Sequence, residues 1–148
     1  MVTDPTNLIP LFALAGSNML TIHLESKGDT TANLKCIKKS GMNAGLAIKP
    51  ATDWKEVIPY LPLCDMVLVM TVEPGYGGQG FIPQCADKVA MLRKYCNENG
   101  FDKMNIQVDG GINTATAATV KDAGANVLVA GTYLFRAEDM RAAADAIR

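Results

Sequence analysis

Apolar residues follow two rhythms along this chain: short continuous runs, and longer stretches in which they recur at three and four. Met66-Val67-Leu68-Val69-Met70 is the most apolar run, with no polar alternation, as expected of a strand buried on both faces. Met19 to Leu24, Ala44 to Ile48, Asn105 to Val108 and Val127 to Ala130 read as strands of the same kind. Between them, Cys85, Val89, Leu92 and Cys96 mark one face of a long helix that Pro83 starts and Gly100 closes. Leu8, Phe12 and Ala15 mark a helix opened by Asp4-Pro5 and stopped by Gly16. Asp29 or Thr30 opens a helix through Leu34 and Ile37 that ends at Gly41, and Asp53 opens a short one carrying Trp54, Val57, Ile58 and Leu61. Asn113 caps a helix ending at Gly124, and Ala137 to Arg148 forms the last.

Strands and helices in strict alternation, with no linker or repeat, predict one α/β unit: a parallel sheet covered by helices. The five predicted strands suit a doubly wound sheet, whereas a closed (β/α)8 barrel needs eight strands and about 200 residues or more. Two details nevertheless favour a barrel. The chain begins and ends with a helix, and glycine loops follow its last three strands; barrels place a phosphate site after strands 7 and 8.

Composition narrows the classes. A chain of 148 residues, 49% hydrophobic and 20% charged, suits one ordinary domain. Fourteen basic against fifteen acidic residues, with no block of like charge, predict neither a nucleic-acid nor a membrane-surface partner. Cys36, Cys64, Cys85 and Cys96 lie far apart without metal-site spacing and read as reduced, buried thiols. No apolar run approaches the ~20 residues of a membrane span, and the first residues do not resemble a secretory signal, so a soluble cytoplasmic protein is expected.

The candidate chemistry sits at the strand ends. Thr71-Val72-Glu73-Pro74-Gly75-Tyr76-Gly77-Gly78-Gln79 follows the most apolar strand, Asp109-Gly110-Gly111 follows the next, and Gly131-Thr132 follows the last. One glycine pair alone is most simply a tight turn. Three on successive strands read better as backbone amides arranged for an anion such as phosphate. Asp109, where a barrel strand delivers its catalytic groups, is either an acid/base or a turn aspartate capping nearby amides. His23, the one histidine, reads as a hydrogen-bonded core residue, since one histidine makes no metal site. Glu73 reads as part of the turn, and Lys49 is near a strand end without being a clear base.

Gly45-Leu46-Ala47-Ile48-Lys49-Pro50, Val69 to Gln79, Val108-Asp109-Gly110-Gly111-Ile112, Gly124-Ala125-Asn126 before Gly131-Thr132, and Ile22-His23-Leu24-Glu25 resemble the ribulose-phosphate 3-epimerase family in order and spacing. The resemblance runs the length of the chain. It implies a (β/α)8 TIM barrel of the ribulose-phosphate-binding type, with residues 1–148 a single partial domain. Family strands 4 to 8 would lie at Met19, Ala44, Met66, Asn105 and Val127, and Met1-Val2 would be the tail of the third.

The resemblance further implies interconversion of ribulose 5-phosphate and xylulose 5-phosphate, with a divalent metal (Zn, Fe, Mn or Co). Asp109 would be metal ligand and one acid/base; Gly75, Tyr76, Gly77, Gly78, Asp109, Gly110, Gly111, Gly131 and Thr132 would bind substrate. Thr132 stands where the family often has serine, and Met70 matches a methionine near the metal. The family's two metal-binding histidines and its first catalytic aspartate have no counterpart here, so three of four ligands are missing and this chain alone is expected to be inactive or weak. The partner implied is a phosphorylated pentulose, with a homo-oligomer as a further expectation. The alternatives are an epimerase for another phosphosugar, such as allulose 6-phosphate, and a non-catalytic phosphosugar-binding remnant.

Overall fold

The computed structural model describes all residues from Met1 to Arg148. Five strands, β1 (Met19–His23), β2 (Asn43–Ile48), β3 (Met66–Met70), β4 (Asn105–Asp109) and β5 (Val127–Val129), form one sheet in the order β1-β2-β3-β4-β5. Every neighbouring pair is parallel. A doubly wound sheet must reverse its strand order at a switch point. This sheet never reverses, so it is a consecutive segment of a barrel-type sheet.

Side chains alternate across the pleat, and the two faces differ. Ala44, Leu46, Ile48, Val67, Val69, Ile106 and Val108 join Leu34, Ile37, Val57, Val89, Leu92 and Val120 in one buried cluster under the helices. Ala47, Leu68, Met70 and Val72 form a separate small cluster on the opposite face. The helices α1 (Ile9–Leu14), α2 (Thr30–Lys39), α3 (Gln84–Glu98), α4 (Thr114–Asp122), α5 (Gly131–Phe135) and α6 (Met140–Ile147) complete the chain with a 3₁₀ helix, Trp54–Leu63. Leu92 is wholly buried in the larger cluster, and truncating such a leucine to alanine costs about 2–5 kcal/mol.

The helix starts follow the expected caps. Asp29 accepts from the Ala32 amide at 3.0 Å, and Asn113 accepts from Ala115 and Thr116 at 3.0 and 3.2 Å. Pro83 precedes α3 directly.

Three expectations are corrected. The segment from Asp53 is a 3₁₀ helix rather than an α-helix; Pro59 and Pro62 lie inside it, and each lacks the N–H that α-helical bonding requires. The C-terminal helix does not begin at Ala137: β5 leads at once into α5, and Asp139 then caps α6 by accepting from the Ala142 amide at 2.9 Å. Met1 and Val2 join no strand, because two residues offer too few backbone groups to hold a ladder, and the outer edge of β1 is unpaired. All four cysteines are free; Cys85 and Cys96 are buried as expected, whereas Cys36 and Cys64 are half-buried. No helix is long and apolar enough to cross a membrane.

Polar contacts tie the loops at the C-terminal ends of β1 and β2. Glu25 accepts from the Lys49 amide at 2.8 Å, from the Thr52 hydroxyl, and pairs with His23 Nδ1 at 3.1 Å. Burial pushes the Glu25 carboxyl up, but these hydrogen bonds outweigh it and hold it below the ordinary glutamate range. Lys88 from α3 donates to the carbonyls of Lys49 and Pro50 at 3.0 and 2.9 Å, and to that of Thr52.

Candidate functional site

Strands β3, β4 and β5 end side by side, and their loops border a cavity of about 950 Å³. Gly75, Tyr76, Gly77, Gly78, Asp109, Gly110, Gly111, Gly131 and Thr132 all line it, as do Met70 and Glu73. The cavity thus lies at the C-terminal edge of the sheet, where barrel enzymes assemble their sites.

Asp109 is the last residue of β4, opposite Met70 on one side and Val129 on the other. Its backbone is fixed from β3: the Thr71 amide donates to the Asp109 carbonyl at 2.8 Å. Burial alone pushes the Asp109 carboxyl above the ordinary aspartate range. A turn aspartate capping nearby amides would be pulled the other way by those donors.

The glycines shape the walls. Gly75, Gly78, Gly110 and Gly111 have φ of 143°, 79°, 123° and 66°, backbone that L side chains rarely adopt. At Gly111 a Cβ would also stand 2.5 Å from the Phe81 nitrogen, so the two loops touch backbone to backbone. Gln79 clasps its own loop, donating from Nε2 to the carbonyls of Glu73 and Tyr76 at 2.6 and 2.9 Å. The amides of residues 75–80, Gly110 and Gly111 donate to no backbone carbonyl. Free N–H groups on converging loops are suited to an oxyanion.

Reading along the chain missed two lining residues, Tyr133 and Arg136. The Tyr133 hydroxyl lies 2.8 Å from that of Thr114, linking α5 to α4. Both follow from α5, whose short helix the sequence pattern did not disclose. His23 lies elsewhere: it borders a second cavity of about 200 Å³ with Leu20, Ile22, Ala47 and Leu68. Its Nε2 is buried without a partner. Lys49 is engaged through its backbone, accepting from Lys88 and donating to Glu25.

A divalent metal of the kind the resemblance implies needs several donors converging on one point. No group of three or more His, Cys, Asp or Glu side chains comes together anywhere in the chain. Asp109 is one carboxylate, and the residues present do not by themselves fit the ion.

Residues 1–135 match the family model described as the ribulose-phosphate 3 epimerase family. The chain is 45% identical over 139 residues to a ribulose-phosphate 3-epimerase of Candida glabrata, covering 94% of this chain and 54% of that protein. It is 37% identical over 148 residues to one of Bacillus subtilis, covering 100% of this chain and 68% of that protein. The chain thus spans about half to two thirds of the length of these relatives. Among solved structures, a crystal structure of 3-hexulose-6-phosphate synthase superposes with a TM-score of 0.70 over 99% of this chain and 68% of that one, at 19% identity. That likeness shows the fold, a segment of the TIM-barrel type.

Proposed function

The chain belongs to the ribulose-phosphate 3-epimerase family, and we propose that it forms the phosphate-holding part of an epimerase acting on a phosphorylated pentulose, with Asp109 as one acid/base. The observation that carries this reading is convergence: free amides on two glycine loops, the Gly131-Thr132 segment and a half-buried carboxylate border one cavity.

Epimerisation beside a ketone removes a proton from one face of a carbon and returns one to the other. An acid/base works best when its pKa approaches the operating pH, and the burial that raises Asp109 moves it in that direction. The glycine amides would hold the phosphate end of the sugar, fixing the reacting carbon near Asp109. In the family a divalent metal supplies stabilisation of the negative enediolate. The donor set here does not hold that ion, and no step is assigned to it. One acid/base serves one face, so this chain is expected to bind a phosphosugar and exchange a proton without sustained inversion.

The same lone carboxylate favours, as a second reading, a phosphosugar-binding protein without catalysis. Ribulose 5-phosphate over allulose 6-phosphate is proposed on the names of the relatives. A cytoplasmic setting and a homo-oligomer without nucleic-acid or membrane partners are proposed with it, supported by the near-neutral charge and the unpaired strand edges.

The test is incubation of the chain with ribulose 5-phosphate in deuterated water, following C3 deuterium and xylulose 5-phosphate separately. Deuterium incorporation lost in Asp109→Asn supports the acid/base role. Binding without exchange supports the second reading, and no binding at all removes both.

A further inference from the structure

Arg136 lines the large cavity at the end of α5, one residue past the stretch matched by the family model. It is the only Arg or Lys side chain on the cavity wall, which also carries the carboxylates of Glu73 and Asp109. The ion pairs of the protein involve His23, Lys38, Lys94 and Arg148, and none uses Arg136. Its guanidinium makes no side-chain hydrogen bond either, in contrast to Arg93, which donates from Nε to the Gly124 carbonyl at 2.9 Å.

A phosphate monoester brings about −1.5 to −2 charges at neutral pH. With both carboxylates ionised and Arg136 ignored, the side chains of the wall repel it, and neutral amides alone must overcome that repulsion. A guanidinium changes the balance: it stays charged at every working pH and matches two phosphate oxygens with a planar fork of donors.

We propose that Arg136 is the cation of this site, holding the phosphate of the sugar together with the free glycine amides and thereby selecting phosphorylated over neutral sugars. The proposal rests on the phosphosugar reading above. Arg136 is exposed and unpaired, so its replacement leaves folding contacts intact.

The test measures binding of inorganic phosphate, ribulose 5-phosphate and unphosphorylated ribulose to the 148-residue chain and to Arg136→Gln and Arg136→Lys, with thermal melting as the control for folding. The expected result is about a tenfold or larger rise in Kd for both phosphate-bearing ligands in Arg136→Gln, as for loss of a charge-assisted hydrogen bond. Arg136→Lys recovers part of it, and affinity for ribulose does not change. The parent's affinity falls more steeply with added salt than that of Arg136→Gln. Equal phosphate affinity in parent and Arg136→Gln overturns the proposal and leaves the phosphate site standing on its amides. A parent chain that binds neither phosphate nor ribulose 5-phosphate overturns the proposal and the phosphosugar reading together. Arg136-dependent binding of inorganic phosphate without ribulose 5-phosphate binding supports the cation and removes the pentulose.

Discussion

The hydroxyl of Thr71 donates to the carbonyl oxygen of Gly110 at 2.6 Å, across from the end of β3 to the turn that follows β4. Thr71 is completely buried and its amide also donates to the Asp109 carbonyl. One side chain of no catalytic type therefore sets the backbone on which both Asp109 and the first glycine turn depend.

Removing that hydroxyl while keeping the shape isolates its role. Thr71→Val leaves the Gly110 carbonyl without its donor, at about 1–3 kcal/mol in urea unfolding, and weakens phosphate binding because the turn loosens. Thr71→Ser retains the donor and stays close to the parent in ligand affinity. Equal affinity in Thr71→Val and the parent would show that the turn is held by other contacts.

Two glycines of the same cavity should answer oppositely to alanine. Gly111 has φ of 66° and no room beside the Phe81 backbone, so Gly111→Ala should destabilise by about 2 kcal/mol or more and abolish phosphosugar binding. A Cβ at Gly131 meets nothing within 4 Å. Gly131→Ala should melt within a degree or two of the parent, about the effect of a surface change. Any loss of affinity there would report ligand contact directly.

Asp109 should be a stability liability as well as a chemical group. Its carboxyl is held above the unfolded-state value of 3.8, so folding favours the protonated form. That contribution is complete below the unfolded value and is lost as pH rises through the folded one. Asp109→Asn, neutral throughout, does not suffer the loss. Melting curves of the two proteins should coincide near pH 3 and separate toward neutrality, with the asparagine variant the more stable. A gap that instead widens as pH falls would mean the carboxylate is stabilised in the fold.

Much of this architecture was legible along the chain because its rhythms are local. Continuous apolar runs mark strands buried on both faces, and Pro83, Asn113 and Gly41 punctuate helices by their own backbone chemistry. Gly75 to Gly78 and Gly110-Gly111 were legible as special turns for the same reason. What escaped was set by distance. Gly131 looked like one more loop glycine, so α5 was overlooked and Arg136 passed for one more solvated charge. Pro59 and Pro62 did not prevent a helix; they changed its type. Glu25, Thr52 and Lys88 are unremarkable polar residues until the fold brings three loops together around them.

The consecutive strand order also dictates when the site can exist. Each strand pairs with the one synthesised just before it, so on a growing chain every new βα unit can dock as it appears. The cavity, however, draws its walls from the last three strands, ending with Gly131, Thr132 and Arg136. Ligand can therefore stabilise only the final stage of assembly: β1 and β2 must fold on their own packing, and a phosphosugar acts on the docking of β5 and α5 alone.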